Sequence, residues 1–121
     1  MARILVCDDA AFMRNTIKEV LQESGHSVVA EAESGAAAVE KYKETRPDLV
    51  TMDILMKDSG VTAIKEIMAE DSTATIVIVS ILSNQEGEVV DAIQCGAKGI
   101  VTKPIKRQLL LSEVDRVLAE K

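Results

Sequence analysis

The segment ILVCDDAAFMR, residues 4–14, places four apolar residues before two adjacent aspartates and then begins an amphipathic stretch. An apolar run of this kind is typical of a strand that is covered on both faces, as in a parallel sheet. Neighbouring carboxylates repel each other, so it costs free energy to deliver Asp8 and Asp9 at the end of a buried strand. The segment therefore predicts a buried strand that ends at an acidic site.

The same alternation of an apolar run and a helical pattern occurs five times along the 121 residues. Five β–α units favour a single α/β domain over residues 1–121, with a doubly wound parallel sheet of five strands and five helices. We expect the flavodoxin-like strand order 2-1-3-4-5. Strands are predicted at 4–7, 28–32, 48–52, 75–80 and 98–102, and helices at 11–24, 35–45, 60–70, 86–95 and 107–120.

Glycine and proline mark the predicted ends of three helices. Gly25 and Gly96 follow the last apolar positions of the first and fourth helices, where a left-handed residue stops a helix at little cost. Pro47 disfavours a helical conformation at Arg46, so the second helix should end there. His26 falls in the turn before the second strand, and we expect it to be exposed.

Composition and charge exclude several classes of function. The chain carries 14 Lys and Arg against 20 Asp and Glu, which gives a formal net charge of −6. This balance argues against direct contact with nucleic acid or with an anionic membrane. The longest apolar stretch, residues 76–82, is far shorter than the ~20 residues that span a bilayer. No leader pattern precedes the first strand, and Cys7 and Cys95 fit reduced thiols, so we expect a cytoplasmic protein.

Charged and hydroxylated residues stand where the predicted strands end. In the expected topology the first and third strands are neighbours at the point where the winding reverses, so Asp8, Asp9 and Asp53 should share one pocket. Carboxylate oxygens in such a group suit Mg²⁺. Lys103 and Ser80 end the fifth and fourth strands on the same rim. Asp53, between the metal and the lysine, is a candidate nucleophile for phosphoryl transfer.

Each of these residues also has a plainer interpretation when it is taken alone. Asp9 is a suitable N-cap for a helix that starts at Ala10, Asp53 is a common turn residue, and a lysine such as Lys103 is usually solvated. The arrangement of all of them on one rim favours the interpretation as a single site.

The chain resembles the receiver domains of two-component response regulators, and above all the stand-alone chemotaxis members. The resemblance covers essentially all of the sequence. It is carried by ILVCDDAAFMR (4–14), RPDLVTMDILM (46–56), TIVIVS (75–80) and GAKGIVTKP (96–104).

This resemblance implies a phosphorylation site and a metal site. Asp53 would accept a phosphoryl group from the phosphohistidine of a sensor histidine kinase. Asp9 would bind Mg²⁺ directly, Asp8 would act more through water, and Asp53 and the backbone carbonyl of Leu55 would complete the metal ligands. The domain would be a regulatory phospho-acceptor rather than an enzyme, catalysing only its own phosphotransfer and dephosphorylation.

The resemblance also implies a switch and its partners. Ser80 would be the switch hydroxyl, Lys103 would pair with the phosphoryl group, and the Lys103–Pro104 bond would be cis. Phosphorylation would change the face formed by the fourth helix, the fifth strand and the fifth helix, which would bind a downstream protein, with chemotaxis as one pathway. We expect a monomer, with a phosphorylation-dependent dimer as the alternative.

The sequence departs from the family pattern around the site. Ile100 stands where an aromatic residue is usual, Ile81 replaces a small residue, and Leu55 and Leu82 are apolar at positions that influence attack by water. We expect Leu55, Ile81 and Leu82 to shield the acyl phosphate. The loop ILMKDSG (54–60) has Lys57 in place of proline and is about one residue short. Lys57 is either a solvated loop lysine or a group that reaches the phosphoryl group or Asp58.

The departures leave one alternative function open, a receiver that binds partners without being phosphorylated. An aspartyl-phosphate phosphatase would place its two acids two residues apart after the first strand, whereas Asp8 and Asp9 are adjacent. A flavin or nucleotide binder would need a phosphate loop rich in Gly, Ser or Thr at the same place, and two anions would repel phosphate there.

Overall fold

Strands and helices alternate along the chain as the sequence predicts. The computed structural model describes residues 1–81 and 86–121. Each predicted boundary lies within one residue of the observed one. In the described ranges the elements are β1 Arg3–Cys7, α1 Ala11–Glu23, β2 Ser27–Ala32, α2 Gly35–Thr45, β3 Leu49–Asp53, α3 Gly60–Glu70, β4 Ile76–Ser80, α4 Glu86–Gln94, β5 Gly99–Thr102 and α5 Arg107–Ala119.

The five strands form one parallel sheet in the order β2-β1-β3-β4-β5, which confirms the predicted fold class and topology. The winding reverses at β1, which lies between β2 and β3. In the pairing of β1 with β3, Cys7 lies opposite Met52. The next residues of the two strands, Asp8 and Asp53, therefore leave the sheet side by side.

Two aliphatic cores cover the two faces of the sheet. On one face, α2, α3 and α4 pack against alternate strand residues such as Leu5, Val50 and Ile78. On the other face, α1 and α5 pack against Ile4 and Val77. Because successive side chains of a strand point to opposite faces, fully buried strands need apolar residues at every position. The continuous apolar runs in the sequence follow from this arrangement.

The helix ends follow the predicted glycine and proline signals. Gly25 and Gly96 have φ angles of 91° and 123° after α1 and α4. Arg46 adopts a left-handed φ of 44° at the end of α2, directly before Pro47. Its guanidinium lies 5.7 Å from the centroid of the Tyr42 ring, and this contact helps to hold a conformation that is uncommon for a residue other than glycine.

The expectation of an exposed His26 is wrong. The imidazole is buried beneath the first residues of the chain, where the backbone N–H of Ala2 donates to Nδ1 at 3.3 Å. Its Nε2 lies 3.7 Å from a carboxylate oxygen of Asp115 on α5.

Both cysteines are free thiols. None of the helices in residues 1–81 and 86–121 is long and apolar enough to cross a membrane.

Candidate functional site

Three aspartates meet at the carboxyl edge of the sheet. Asp8 follows β1 and is fully buried, Asp53 ends β3 with 3% of its surface exposed, and Asp9 is exposed. One carboxylate oxygen from each of the three lies within 4.8 Å of the others. The structure thus brings together the three acids that the sequence places at neighbouring strand ends.

The start of α1 fixes the direction of the Asp8 side chain. Its Oδ1 accepts a hydrogen bond from the backbone N–H of Ala10 at 2.9 Å, and Nη1 of Arg14 donates to the Asp8 carbonyl at 2.8 Å. The N-cap of α1 is Ala10, whose side chain makes no capping hydrogen bond. The interpretation of Asp9 as the N-cap is therefore wrong, and its carboxylate is left for another role.

The Lys103 ammonium lies between the two buried carboxylates. Its Nζ is 3.1 Å from Oδ2 of Asp8 and 3.3 Å from Oδ2 of Asp53. The backbone N–H of Lys103 donates to the Ser80 carbonyl at 2.8 Å, and the Lys103–Pro104 peptide bond is cis, as the family resemblance implies. The two carboxylate contacts hold the Lys103 ammonium inside the acidic pocket, so Lys103 is not a solvated surface lysine.

The negative charge of the pocket exceeds what one ammonium neutralises. Burial, together with the negative charge of Asp8, raises the pKa of the Asp53 carboxyl to about 6, although Lys103 acts in the opposite direction. Burial of the Lys103 ammonium opposes its protonation, but the fields of Asp53 and Asp8 prevail and raise its pKa. Both shifts have the sign expected for a site that attracts a further cation.

Ser80 ends β4, the strand beside β3, and is fully buried. Among the residues that the structure describes, its Oγ has no hydrogen-bond partner. A buried hydroxyl without a partner costs free energy, so it is available to donate to an acceptor that enters the site.

A cavity of about 350 Å³ opens over Asp53. Two apolar side chains stand at its rim, Leu55 with 62% and Ile81 with 49% of their surfaces exposed. Leu82, the third predicted shielding residue, lies outside the described ranges. Lys57 is exposed and contributes to the wall. The cavity is lined by Asp8, Asp9, Ala10, Met13, Asp53, Leu55, Met56, Lys57, Ile81 and Lys103.

Sequence reasoning missed the contact that Asp58 makes with α2. Asp58, in the loop between β3 and α3, reaches across to α2 and accepts backbone hydrogen bonds from Gly35 and Ala36. The pattern SGAA at residues 34–37 indicates a helix start, but no sequence signal tells which distant carboxylate would cap it.

Comparison with known proteins identifies the family. A family model described as the response regulator receiver domain matches residues 4–115. The chain belongs to the response regulator receiver domains. This receiver domain is 52% identical over 117 residues to the chemotaxis protein CheY of Bacillus subtilis, covering 96% of this chain and 97% of that protein. It is 44% identical to CheY of Thermotoga maritima over 116 residues, covering 95% and 96% of the two chains.

Solved structures show the same relationship in three dimensions. The receiver domain superposes with a TM-score of 0.91 on a two-component response regulator of the LuxR family from Aurantimonas, at 31% identity, covering 100% of this chain and 87% of that one. It superposes with a TM-score of 0.89 on a chain of the CheX–CheY–BeF₃–Mg²⁺ complex from Borrelia burgdorferi. There the identity is 32%, with 95% of this chain and 87% of that chain covered.

The donor set fits the metal that receiver domains generally bind. Mg²⁺ prefers oxygen ligands and is held in proteins by one or two carboxylates together with water molecules. Asp8, Asp9 and Asp53 offer carboxylate oxygens within 4.8 Å of one another, and the site opens to solvent through the cavity. The acidic cluster is thus compatible with Mg²⁺ in the manner of the family.

Proposed function

We propose that this receiver domain accepts a phosphoryl group on Asp53 from a sensor histidine kinase, and that Asp8, Asp9, Asp53 and the Leu55 carbonyl hold Mg²⁺ during the transfer. The proposal is carried by the position of Lys103 Nζ, which lies within 3.3 Å of both Asp8 and Asp53 inside a pocket of three carboxylates. A single ammonium beside three acids suits a site that receives both a cation and an anion in turn.

The chemistry assigns a separate task to each side chain. A carboxylate oxygen of Asp53 attacks phosphorus, an O–P bond forms, and the P–N bond to the donor histidine breaks. The bonding electrons stay with the imidazole nitrogen, which takes up a proton. Lys103 pairs with an oxygen of the transferred group, and the buried Ser80 hydroxyl donates to another. Mg²⁺ held by the acidic cluster would supply further charge neutralisation for the transferred group.

The return to the unphosphorylated state is proposed to be slow hydrolysis within the same site. Water must reach the phosphorus of the acyl phosphate past the exposed apolar side chains of Leu55 and Ile81. We propose that these two residues, with Leu82, shield the acyl phosphate. No other catalytic activity is proposed for the domain.

Output is proposed to pass through the face formed by α4, β5 and α5 to a partner protein. Two of these elements carry large apolar side chains that are about half exposed, namely Val90 and Ile93 of α4 and Leu109 of α5. The relatives named above suggest a chemotaxis pathway, in which a CheX-like protein is one kind of partner. We further propose a single domain over residues 1–121 that acts in the cytoplasm as a monomer, with a dimer on phosphorylation as the alternative.

Incubation with acetyl phosphate and Mg²⁺ tests the phosphorylation step. We expect intact-mass spectrometry to show the gain of one phosphoryl group, lost on addition of EDTA before the donor and absent in Asp53→Asn. A wild-type chain that gains no mass under these conditions would support the alternative, a receiver that binds partners without phosphorylation. A gain that persists in Asp53→Asn would reject Asp53 as the acceptor.

A further inference from the structure

The loop between β3 and α3 is tied to the N-terminus of α2 through one side chain. The two carboxylate oxygens of Asp58 accept hydrogen bonds separately, Oδ1 from the backbone N–H of Gly35 and Oδ2 from that of Ala36 at 3.0 Å. A carboxylate at a helix N-terminus is stabilised both by the unpaired N–H groups and by the helix dipole. The contact joins two elements that are 22 residues or more apart in the chain.

The same loop closes back on the candidate phosphorylation site. Leu55 forms an isolated antiparallel bridge with Ser59, and the N–H of Gly60 donates to the Ile54 carbonyl at 3.0 Å. A Cβ atom at Gly60 would lie 2.4 Å from the carbonyl oxygen of Asp53, so the end of the loop packs against the backbone of Asp53. These contacts make the loop compact, and Asp58 supplies its side-chain hydrogen bonds to α2.

The base of the loop is also in contact with the reacting carboxylate. The backbone N–H of Leu55 donates to Oδ1 of Asp53 at 3.3 Å. Leu55 and Lys57 both line the cavity over Asp53. A movement of the loop relative to α2 would thus change the direction of the Asp53 carboxylate and the position of the groups around it.

We propose that Asp58 is a positioning residue for phosphoryl transfer, because its two hydrogen bonds to α2 hold the β3–α3 loop where Leu55 orients Asp53 and completes the metal site. The inference rests on the function proposed above and assigns a role to a residue outside the acidic pocket. It also fits the shortened loop ILMKDSG, in which the residue after Lys57 is placed within reach of Gly35.

Asp58→Ala tests this role, with Ser34→Ala as its matched control. Ser34 caps the same end of α2, since its Oγ accepts the N–H of Ala37 at 3.1 Å, but within the described residues its side chain forms no hydrogen bond with the loop. Both substitutions should lower the melting temperature. We expect only Asp58→Ala to weaken Mg²⁺ binding, by about tenfold in isothermal titration calorimetry, as is typical when a residue that orients a metal ligand is lost.

Amide hydrogen exchange in metal-free protein gives a second measurement. Exchange at Leu55 and Gly60 should accelerate in Asp58→Ala and remain unchanged in Ser34→Ala. Asp58→Asn keeps one acceptor oxygen and should give intermediate values in both experiments, even if the alanine variant folds poorly. Phosphorylation by acetyl phosphate at limiting Mg²⁺ should slow in the same order.

Two different results would overturn two different claims. If Asp58→Ala and Asp58→Asn bind Mg²⁺ and exchange at Leu55 like the wild-type chain, Asp58 is only a helix cap and the inference is wrong. If the wild-type chain takes no phosphoryl group, the proposed function fails, while the calorimetry and the exchange data still decide whether Asp58 positions the loop.

Discussion

Burial and the negative charge of Asp8 both oppose the ionisation of Asp53. Its pKa of about 6, against an ordinary value of 3.8, means that the native protein holds a proton on this carboxyl more tightly than the unfolded chain does. Between these two pKa values the native state binds more protons at Asp53 than the unfolded state does. The contribution of Asp53 to the free energy of unfolding therefore falls as the pH rises from about 4 to about 6. Above about pH 6 the ionised Asp53 lowers the free energy of unfolding by its full amount.

Asp53→Asn should therefore stabilise the metal-free protein at neutral and higher pH. From the size of the pKa shift we expect a gain in the free energy of unfolding of at most roughly 3 kcal/mol at pH 8. The difference between variant and wild type should vanish below about pH 4. Urea unfolding in EDTA measures both values. Asp9→Asn, which neutralises an exposed acid, is the control and should have the smaller effect; a less stable Asp53→Asn would contradict a pocket with excess negative charge.

Leu55 governs access to the acyl phosphate in the proposed function, together with Ile81. Leu55→Asn should shorten the lifetime of the phosphorylated protein by about tenfold, because a polar side chain admits and orients water at the rim; this corresponds to about 1.4 kcal/mol in the hydrolysis barrier. Decay of the phosphorylated mass species after removal of the donor gives the rate. Phe12→Ala removes a more exposed apolar side chain that does not line the cavity, and it should leave the lifetime unchanged.

At the residue scale, the sequence predicts those positions that the strands themselves fix. Asp8, Asp53 and Lys103 directly follow or end apolar runs, so the topology alone brings them to one edge. His26 and Asp58 could not be placed in this way. The burial of His26 depends on the path of the first two residues, and the hydrogen bonds of Asp58 depend on the conformation of a loop between two elements.

At the scale of elements, α4 provides a direct comparison of two glycines. Gly96 ends the helix with a φ of 123°, and a Cβ atom there would lie 2.7 Å from Cε of Met68, whereas a Cβ atom at Gly87 meets nothing within 4 Å. Gly96→Ala should destabilise the protein by roughly 1–2 kcal/mol, and Gly87→Ala should stabilise it by about 0.5 kcal/mol. Thermal and urea unfolding measure both. Equal effects of the two substitutions would contradict the left-handed end of α4.

The boundaries of the elements were predictable where two independent signals coincide. An apolar run stops at a charged residue, as at Asp53, and a helical pattern stops before a glycine or a proline, as at Gly25 and Pro47. The capping of α2 shows the limit of this reasoning. Ser34 is recognisable from the local sequence as a cap, but the second cap comes from Asp58 in a later loop. Local sequence patterns do not indicate contacts between distant segments of the chain.

At the scale of the whole molecule, divalent metal should act on the stability of the complete fold. A ligand that binds only the native state raises the free energy of unfolding by about 2.7 kcal/mol at a hundredfold excess over its dissociation constant. We expect Mg²⁺ to raise the melting temperature of the wild-type chain and EDTA to reverse this. Asp9→Asn should retain much less of the increase, and an increase of the same size in Asp9→Asn would count against Asp9 as a ligand.

The order of the strands is the property of the whole molecule that the sequence predicts best. Continuous apolar runs require a sheet covered on both faces, and the right-handed crossover rule then leaves few arrangements of five β–α units. The division into two aliphatic cores follows from the same rule. Tyr42 is the one aromatic residue within them among the described residues, and its hydroxyl donates to Asp71 at 2.9 Å.

Tyr42 also determines what optical spectroscopy reports about this protein. The chain has one tyrosine and no tryptophan. Burial, and to a lesser extent the hydrogen bond to Asp71, raises the pKa of the Tyr42 phenol to about 12. The fluorescent phenol therefore stays protonated at neutral pH. The ring contacts Arg46 at the end of α2, at the edge of the sheet opposite the acidic pocket. Intrinsic fluorescence should therefore follow global unfolding and should not change when a cation binds, unless a tryptophan is introduced beside the site.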